Sequence, residues 1–183
     1  IALLLMLILS VFNKYILTLV CIFIIYQILF EFNYMLKKIF IFNRKKIFYF
    51  IFLFIIIYVT FSIIYVWLIL ISDNKDKILL YILIITCIST DIGGYIFGKL
   101  FKGKKLTKIS PNKTYSGMIG SYFLSIIIII LNFKFYMDVD KLFFLIIIAS
   151  TISQFGDLLI SYIKRKAKIK DTSSILPGHG GLL

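Results

Sequence analysis

Acidic residues are scarce in this chain of 183 residues, where eight Asp and Glu stand against 21 Lys and Arg. The formal net charge of +13 at pH 7 would suggest a nucleic-acid partner in a soluble protein. However, 61% of the residues are hydrophobic and most lie in long unbroken runs, which excludes a water-soluble core and requires lipid as the solvent. We therefore expect no nucleic-acid partner, and the cations bear instead on membrane orientation.

Glycine and proline are absent from the first half of the chain. All ten glycines lie between Gly93 and Gly181, and both prolines lie in the same stretch. Because glycine lets the backbone bend and approach a ligand closely, this stretch is where we expect the chemistry. The only two cysteines, Cys21 and Cys87, each lie inside an apolar run, which favours small hydrophobic side chains over a disulfide or a metal site.

Long apolar runs predict membrane-spanning helices, since about 20 apolar residues cross a hydrocarbon core of ~30 Å. The runs show no period-2 alternation and no solenoid repeat, which argues against a β-barrel. They also lack the polar face that a helix of a soluble protein would show. We therefore predict an all-α, polytopic transmembrane helix bundle with spans at residues 1–12, 15–32, 47–71, 78–98, 116–131 and 141–163.

Basic residues are concentrated in alternate links between these spans. Clusters at residues 37–46, 99–113 and 164–170 hold 16 of the 21 cations, and an even number of predicted spans separates each cluster from the next. The other links are balanced in charge. The positive-inside rule predicts a multi-pass protein of the inner (plasma) membrane with the clusters on the cytoplasmic side. For the first cluster, topology and attraction to anionic lipid alone are an equal alternative to a further function.

Two aspartates, Asp91 and Asp157, lie within predicted spans near their cytoplasmic ends. A carboxylate there is costly unless it faces a polar interior, so we predict a polar active site that faces the cytoplasm. Pairing between helices is the alternative. Glu31 lies at the predicted end of a span beside a link, and we expect it to be structural.

The last predicted span carries polar residues at spacings of three and four, which places them on one face of a helix. We expect this stripe to line a water-accessible cavity that opens at the basic end, with hydrogen bonding between helices as the alternative. Its members are Ser150, Ser153, Gln154, Asp157, Ser161 and Lys164.

Two segments combine lysine, glycine and hydroxyl side chains, which suit phosphate groups by charge and by hydrogen bonding. One runs from Asp91 to Gly117, and the other runs from Lys170 to Gly181 around His179, the only histidine. Neither has the spacing of a Walker A loop or a dinucleotide fingerprint. Carboxylates beside such segments suggest Mg²⁺ shared with a nucleoside triphosphate.

Residues 161–183, SYIKRKAKIKDTSSILPGHGGLL, resemble the signature of the phosphatidate cytidylyltransferase family. That signature runs from a serine through Lys-Arg and Lys-Asp to Pro-x-His-Gly-Gly and then Asp-Arg-x-Asp. Residues 91–95, 110–114 and 156–157 (DIGGY, SPNKT and GD) are also similar to family motifs. Tyr115 and Ser116 are mild departures, and residues 1–77 resemble the family mainly in hydrophobicity.

The resemblance implies transfer of a cytidylyl group from CTP to phosphatidate, which gives CDP-diacylglycerol and pyrophosphate for phospholipid biosynthesis. It implies N-terminal transmembrane helices at 1–77, a catalytic region at 78–183, and Mg²⁺ held by Asp157, with a monovalent cation as a second ion. Membrane lipid is an expected partner, and a homodimer is among the assemblies that it allows. The implied catalytic residues are Asp157, Lys164, Arg165, Asp171 and His179, and the implied substrate- and phosphate-binding residues are Asp91, Ser110, Lys113, Thr114, Ser161, Lys170, Gly180 and Gly181.

Three other functions compete with this interpretation: a CTP-dependent lipid-alcohol kinase, a transporter with an ion path through Asp91 and Asp157, and a non-catalytic membrane protein. The outer halves of the spans carry little charge, which argues against a transporter. The chain opens without methionine and stops at Leu183, before the expected Asp-Arg-x-Asp. We therefore expect a piece of a longer protein, and we expect this piece alone to be inactive or badly impaired.

Overall fold

The computed structural model describes residues 14–40, 45–71, 74–107, 109–110, 112–173 and 181. Every regular element within this part of the chain is an α-helix, and each helix is long and apolar enough to cross a membrane. This confirms the all-α, polytopic fold, while the predicted span at 1–12 lies outside the described residues. The helices are α1 (Lys14–Ile39), α2 (Lys45–Ile71), α3 (Asn74–Phe101), α4 (Tyr115–Phe133) and α5 (Val139–Lys166).

The helices run further into the basic clusters than the apolar runs predict. The helix α1 ends at Ile39 rather than at residue 32, so Glu31 lies inside the helix and the expectation that it lies at the end is wrong. Lys99 and Lys164 likewise lie in the last turns of α3 and α5 rather than in the links. Cations are favourable at a helix C-terminus, and their apolar stems can extend along the neighbouring apolar surface, which explains the longer helices.

The described chain forms two compact units. The first contains residues 1–77 and 163–183, and the second contains residues 78–162. The residues that resemble the signature group with the N-terminal helices in this division. The catalytic region at 78–183 is therefore a grouping by predicted function, and it stays a prediction.

The second unit packs around a small apolar core contributed by all three of its helices. Ile82 of α3, Ile129 of α4, and Leu142 and Ile146 of α5 are fully buried and contact one another. The outer faces are equally apolar, and Phe144 remains 67% exposed. In the first unit only 6% of the apolar window of α2 is buried within the protein. Exposed apolar surface on this scale requires lipid around it.

Glycines allow α3 and α4 to approach closely. A Cβ atom on Gly93 would lie 2.6 Å from the carbonyl oxygen of Gly120, and one on Gly117 would lie 2.7 Å from the carbonyl oxygen of Gly94. These distances are too short for any side chain, as in other membrane helix pairs built on small residues. These glycines therefore bring one helix to another, and the expectation that glycines of this stretch bring the backbone to a ligand stays a prediction.

Candidate functional site

An isolated antiparallel bridge between Lys105 and Thr114 and three backbone hydrogen bonds fix the backbone of Lys113 in the link between α3 and α4. The Leu106 N–H donates to the Lys113 carbonyl oxygen at 2.7 Å, and the Tyr115 N–H donates to the Lys104 carbonyl oxygen at 3.1 Å. The Lys113 N–H donates to the Ser110 carbonyl oxygen at 3.1 Å. Because hydrogen bonds hold the peptide groups on both sides of Lys113, the position of its Cα atom is fixed.

Thr114 begins the helix that follows this link. Its hydroxyl accepts a hydrogen bond from the Gly117 N–H at 3.1 Å and lies 3.0 Å from the Ser116 hydroxyl. This is an N-cap, which satisfies one of the N–H groups that a helix start leaves without a partner. Thr114 therefore stabilises the start of α4, and its predicted contact with phosphate stays a prediction.

Three charged side chains from separate segments lie in one region of the second unit. The Lys113 ammonium forms an ion pair with the Asp157 carboxylate of α5. Asp91 of α3 lies within electrostatic range of both of these groups. The Lys113 side chain is 26% exposed and that of Asp157 is 57% exposed, so a ligand can reach this charged triad (Asp91, Lys113 and Asp157).

Polar side chains continue from the charged triad between the helices. The Thr90 hydroxyl of α3 donates to the Ser150 hydroxyl of α5 at 3.0 Å, and the Gln154 amide donates to the same Ser150 oxygen at 3.3 Å. The Ser121 hydroxyl of α4 donates to the Thr90 carbonyl oxygen at 2.7 Å. The Thr90–Ser150 contact shows that the stripe takes part in hydrogen bonding between helices at Ser150, while the expectation that it lines a water-accessible cavity stays a prediction.

The signature residues at the end of α5 belong to the first unit. Lys164 and Arg165 lie in the last helical turn, where their carbonyl oxygens accept hydrogen bonds from the N–H groups of Ile169 and Lys168, both at 3.0 Å. Lys168 has a φ of 56°, the left-handed conformation that ends the helix. Lys170 and Asp171 follow and are exposed, whereas His179 and Gly180 lie outside the described residues.

Glu31, for which the sequence predicts only a structural role, binds two residues of the signature, Thr172 and Ser173. Glu31 of α1 is fully buried, and its Oε2 atom accepts from the Thr172 hydroxyl at 2.7 Å. Its Oε1 atom accepts from the Ser173 hydroxyl at 2.9 Å and from the Gln27 amide at 2.7 Å. Gly181 lies against the same carboxylate. The available signal was the spacing of Gln27 and Glu31, four residues apart in an otherwise apolar helix.

The donor set of the charged triad decides which kind of metal it suits. Within the described ranges, no three His, Cys, Asp or Glu side chains lie close enough to hold a metal ion. Asp91 and Asp157 supply two carboxylates, and Mg²⁺ commonly uses one or two carboxylates together with substrate phosphates and water. The residues therefore fit Mg²⁺ that arrives with a nucleotide, and they do not fit an ion enclosed by these side chains alone.

Known proteins resemble this chain along much of its length. A profile of the cytidylyltransferase family matches residues 1–183. The chain is 41% identical over 122 residues to a protein named phosphatidate cytidylyltransferase from Rickettsia typhi, an alignment that covers 61% of this chain and 53% of the relative. It is 44% identical over 116 residues to one of the same name from Staphylococcus haemolyticus, covering 61% and 44%.

A third relative of that name, from Staphylococcus aureus, is 45% identical over 98 residues, which covers 51% of this chain and 38% of the relative. The chain thus spans about half the length of the curated relatives it matches. None of the solved structures matches it. Because the family profile covers all 183 residues, the chain belongs to the cytidylyltransferase family.

Proposed function

We propose that the whole protein transfers a cytidylyl group from CTP to phosphatidate and forms CDP-diacylglycerol and pyrophosphate. The observation that carries this proposal is the convergence of Asp91, Lys113 and Asp157 from three segments of a membrane protein. A lysine beside two accessible carboxylates suits a nucleotide whose phosphates need both a cation and a shared metal ion. The name of the relatives, phosphatidate cytidylyltransferase, agrees with this substrate pair.

The reaction needs alignment more than proton transfer. An oxygen of the phosphatidate phosphate attacks the α-phosphorus of CTP, and a new P–O bond forms there. The bond from that phosphorus to the oxygen bridging to the β-phosphate breaks, and pyrophosphate leaves with the electron pair. Because the attacking oxygen is already anionic, no strong base is required, and the chain contributes orientation and charge neutralisation.

Lys113 is the group of this chain that we expect to bind the CTP phosphates. Its ammonium pairs with Asp157 in the described structure, and incoming phosphate oxygens would compete for the same charge. Asp157, together with Asp91, is then available to hold Mg²⁺. When bound, Mg²⁺ would offset the negative charge on the phosphates during transfer. A monovalent cation as a second ion, and a homodimer, belong to the same proposal.

The helix ends support a cytoplasmic orientation for this chemistry. The last turns of α1, α3 and α5 contain basic residues, whereas those of α2 and α4 contain none. Helices that alternate in direction across a membrane would place the three basic ends on one side, and the positive-inside rule makes that side cytoplasmic. We therefore infer an inner-membrane enzyme whose site faces the cytoplasmic pool of CTP.

Pyrophosphate release by the whole encoded protein, purified with lipid, tests the proposal. We expect release from CTP only when phosphatidate and Mg²⁺ are both present. Asp157→Asn should reduce kcat by about 100-fold or more, since removal of one group that stabilises charge in a transition state commonly costs about 10²–10³. Lys113→Ala should raise the KM for CTP.

Matched controls come from a second Asp–Lys pair at the other end of α5. Asp138 and Lys141 form an exposed ion pair of 2.8 Å, so Asp138→Asn and Lys141→Ala make the same chemical changes away from the charged triad. Both controls should keep the activity of the unaltered protein. Formation of CDP and a phosphorylated lipid would identify the kinase alternative, and full activity in Asp157→Asn would refute the assignment of the site.

A further inference from the structure

We propose that Glu31 is a positioning residue for the signature segment, defined as the described residues 170–173. Its carboxylate accepts hydrogen bonds from Thr172 and Ser173 at the end of that segment. The inference rests on the proposed cytidylyltransferase function, because it assigns the segment a part in binding or aligning the substrates. Glu31 itself lies in α1 and acts through these residues.

The burial of Glu31 shows that its partners matter. The side chain is fully buried, and burying a carboxylate is costly unless hydrogen bonds compensate for the lost water. Three donors do so here: the Gln27 amide at 2.7 Å, the Thr172 hydroxyl at 2.7 Å and the Ser173 hydroxyl at 2.9 Å. Two of these donors lie more than 140 positions further along the chain. The carboxylate is therefore satisfied mainly by the signature segment.

Gly181 also lies close to the Glu31 carboxylate. A Cβ atom there would lie 2.8 Å from Glu31 Oε2 and would also meet the Thr172 hydroxyl, and the backbone has a φ of +127°. Only glycine tolerates both the contact and the conformation. Gly181 thus lies beside the same carboxylate that accepts hydrogen bonds from Thr172 and Ser173.

This geometry gives Glu31 a role beyond holding helices together. Thr172 directly follows Lys170 and Asp171, and Gly181 directly follows the His-Gly pair of the signature. Phosphoryl-group chemistry is sensitive to alignment, and a misplacement of about 1 Å can cost about 100-fold in rate. A carboxylate that holds Thr172 and Ser173 next to Lys170 and Asp171 is therefore expected to affect turnover without contacting substrate.

The test compares Glu31→Met with Thr86→Val in the whole encoded protein. Methionine keeps the length and the apolar stem but removes both acceptor oxygens. Thr86 is a matched control, because it is also fully buried in a membrane helix and its hydroxyl donates only to the Ile82 carbonyl oxygen of its own helix. We expect Glu31→Met to lower kcat/KM for CTP by roughly 10- to 100-fold and Thr86→Val to leave it unchanged.

A double-mutant cycle separates positioning from a general loss of stability. If Glu31 acts by holding Thr172 and Ser173, then Glu31→Met should have little further effect in a Thr172→Val/Ser173→Ala background. That background also removes the hydrogen bonds from Thr172 and Ser173 to Glu31 with α1 unaltered, so it replaces Glu31→Met if the latter fails to fold. Hydrogen exchange of peptides covering residues 169–183 should be faster in both variants and unchanged in Thr86→Val.

The outcomes distinguish the two proposals. The positioning role is supported if Glu31→Met loses activity, if its effect does not add to that of Thr172→Val/Ser173→Ala, and if hydrogen exchange at residues 169–183 becomes faster. Two results with an active unaltered protein would overturn the positioning role alone. In one, Glu31→Met keeps the activity and the hydrogen-exchange rates of the unaltered protein. In the other, the activity losses of Glu31→Met and Thr172→Val/Ser173→Ala simply add. No pyrophosphate release by the unaltered protein overturns the proposed function and, with it, the role given to Glu31.

Discussion

The close contact of α3 and α4 gives the sharpest prediction about stability. Gly93→Ala adds a single methyl group to α3 where it faces α4. The new Cβ atom would lie 2.6 Å from the Gly120 carbonyl oxygen and 3.0 Å from both the Leu124 Cβ and the Ser121 Cα atoms. All three neighbours belong to the backbone or are attached directly to it, so none can move aside by rotating a side chain.

The expected magnitude follows from two opposing effects. Alanine in place of glycine inside a helix is favourable by about 1 kcal/mol through intrinsic propensity. Against this, the contact is about 0.9 Å shorter than the roughly 3.5 Å of ordinary packing, so the helices must separate. Overpacking of this kind costs about 1–3 kcal/mol. We therefore expect Gly93→Ala to lower the free energy of unfolding by up to about 2 kcal/mol.

Gly156→Ala is the control, because a Cβ atom on this glycine of α5 meets nothing within 4 Å. It should show the propensity gain alone, so the two variants should differ by about 1–3 kcal/mol in opposite directions. Unfolding in detergent by heat or by SDS, followed by circular dichroism, measures the difference. If Gly93→Ala is as stable as Gly156→Ala, the close approach of α3 and α4 is refuted.

Three further predictions concern individual contacts. Thr114→Val should cost about 1 kcal/mol of stability by removing the N-cap of α4, whereas Thr114→Ser should restore most of it; equal unfolding of both variants would contradict the cap. Thr90→Val should cost about 0.6 kcal/mol, the average for a hydrogen bond between membrane helices, and a gain in stability would contradict this. The hydrogen bond from Lys141 and its charge lower the pKa of Asp138 below its usual value of 3.8. The unaltered protein should therefore be slightly more stable than Asp138→Asn above the usual pKa of the carboxyl, and this difference should disappear as the pH falls through the lowered pKa. A pH series of melting curves measures it, and a difference that grows with acid would contradict the ion pair.

The sequence predicts the spans well because lipid surrounds each helix and hydropathy reports that environment directly. The helix ends were less predictable, since lysines with long apolar stems continue a helix beyond its apolar run. For this reason the apolar run alone predicts Glu31 at a helix end with a structural role. Its real partners, Thr172 and Ser173, are far away in sequence, and no local pattern in α1 identifies them.

Asp91, Asp157 and Lys113 were found from the sequence because acids are rare in membrane spans and lysines near hydroxyls stand out. Their convergence depends on how α3, α4 and α5 pack, which the sequence pattern does not give. The glycines illustrate the same limit. Gly93 suits either a ligand-binding turn or a close helix contact, and only the tertiary position of Gly120 decides between them.

The hydrogen bonds of Glu31 also impose an order on biosynthesis. The carboxylate enters the membrane with α1, but Thr172 is 141 positions further along the chain. At about 5–20 residues per second, translation takes roughly 7–28 s to cover that distance. Throughout this interval the nascent protein carries a carboxylate within an apolar helix before Thr172 and Ser173 have been made. The signature segment can therefore reach its final geometry only as a late step, after α2 to α5 have been synthesised.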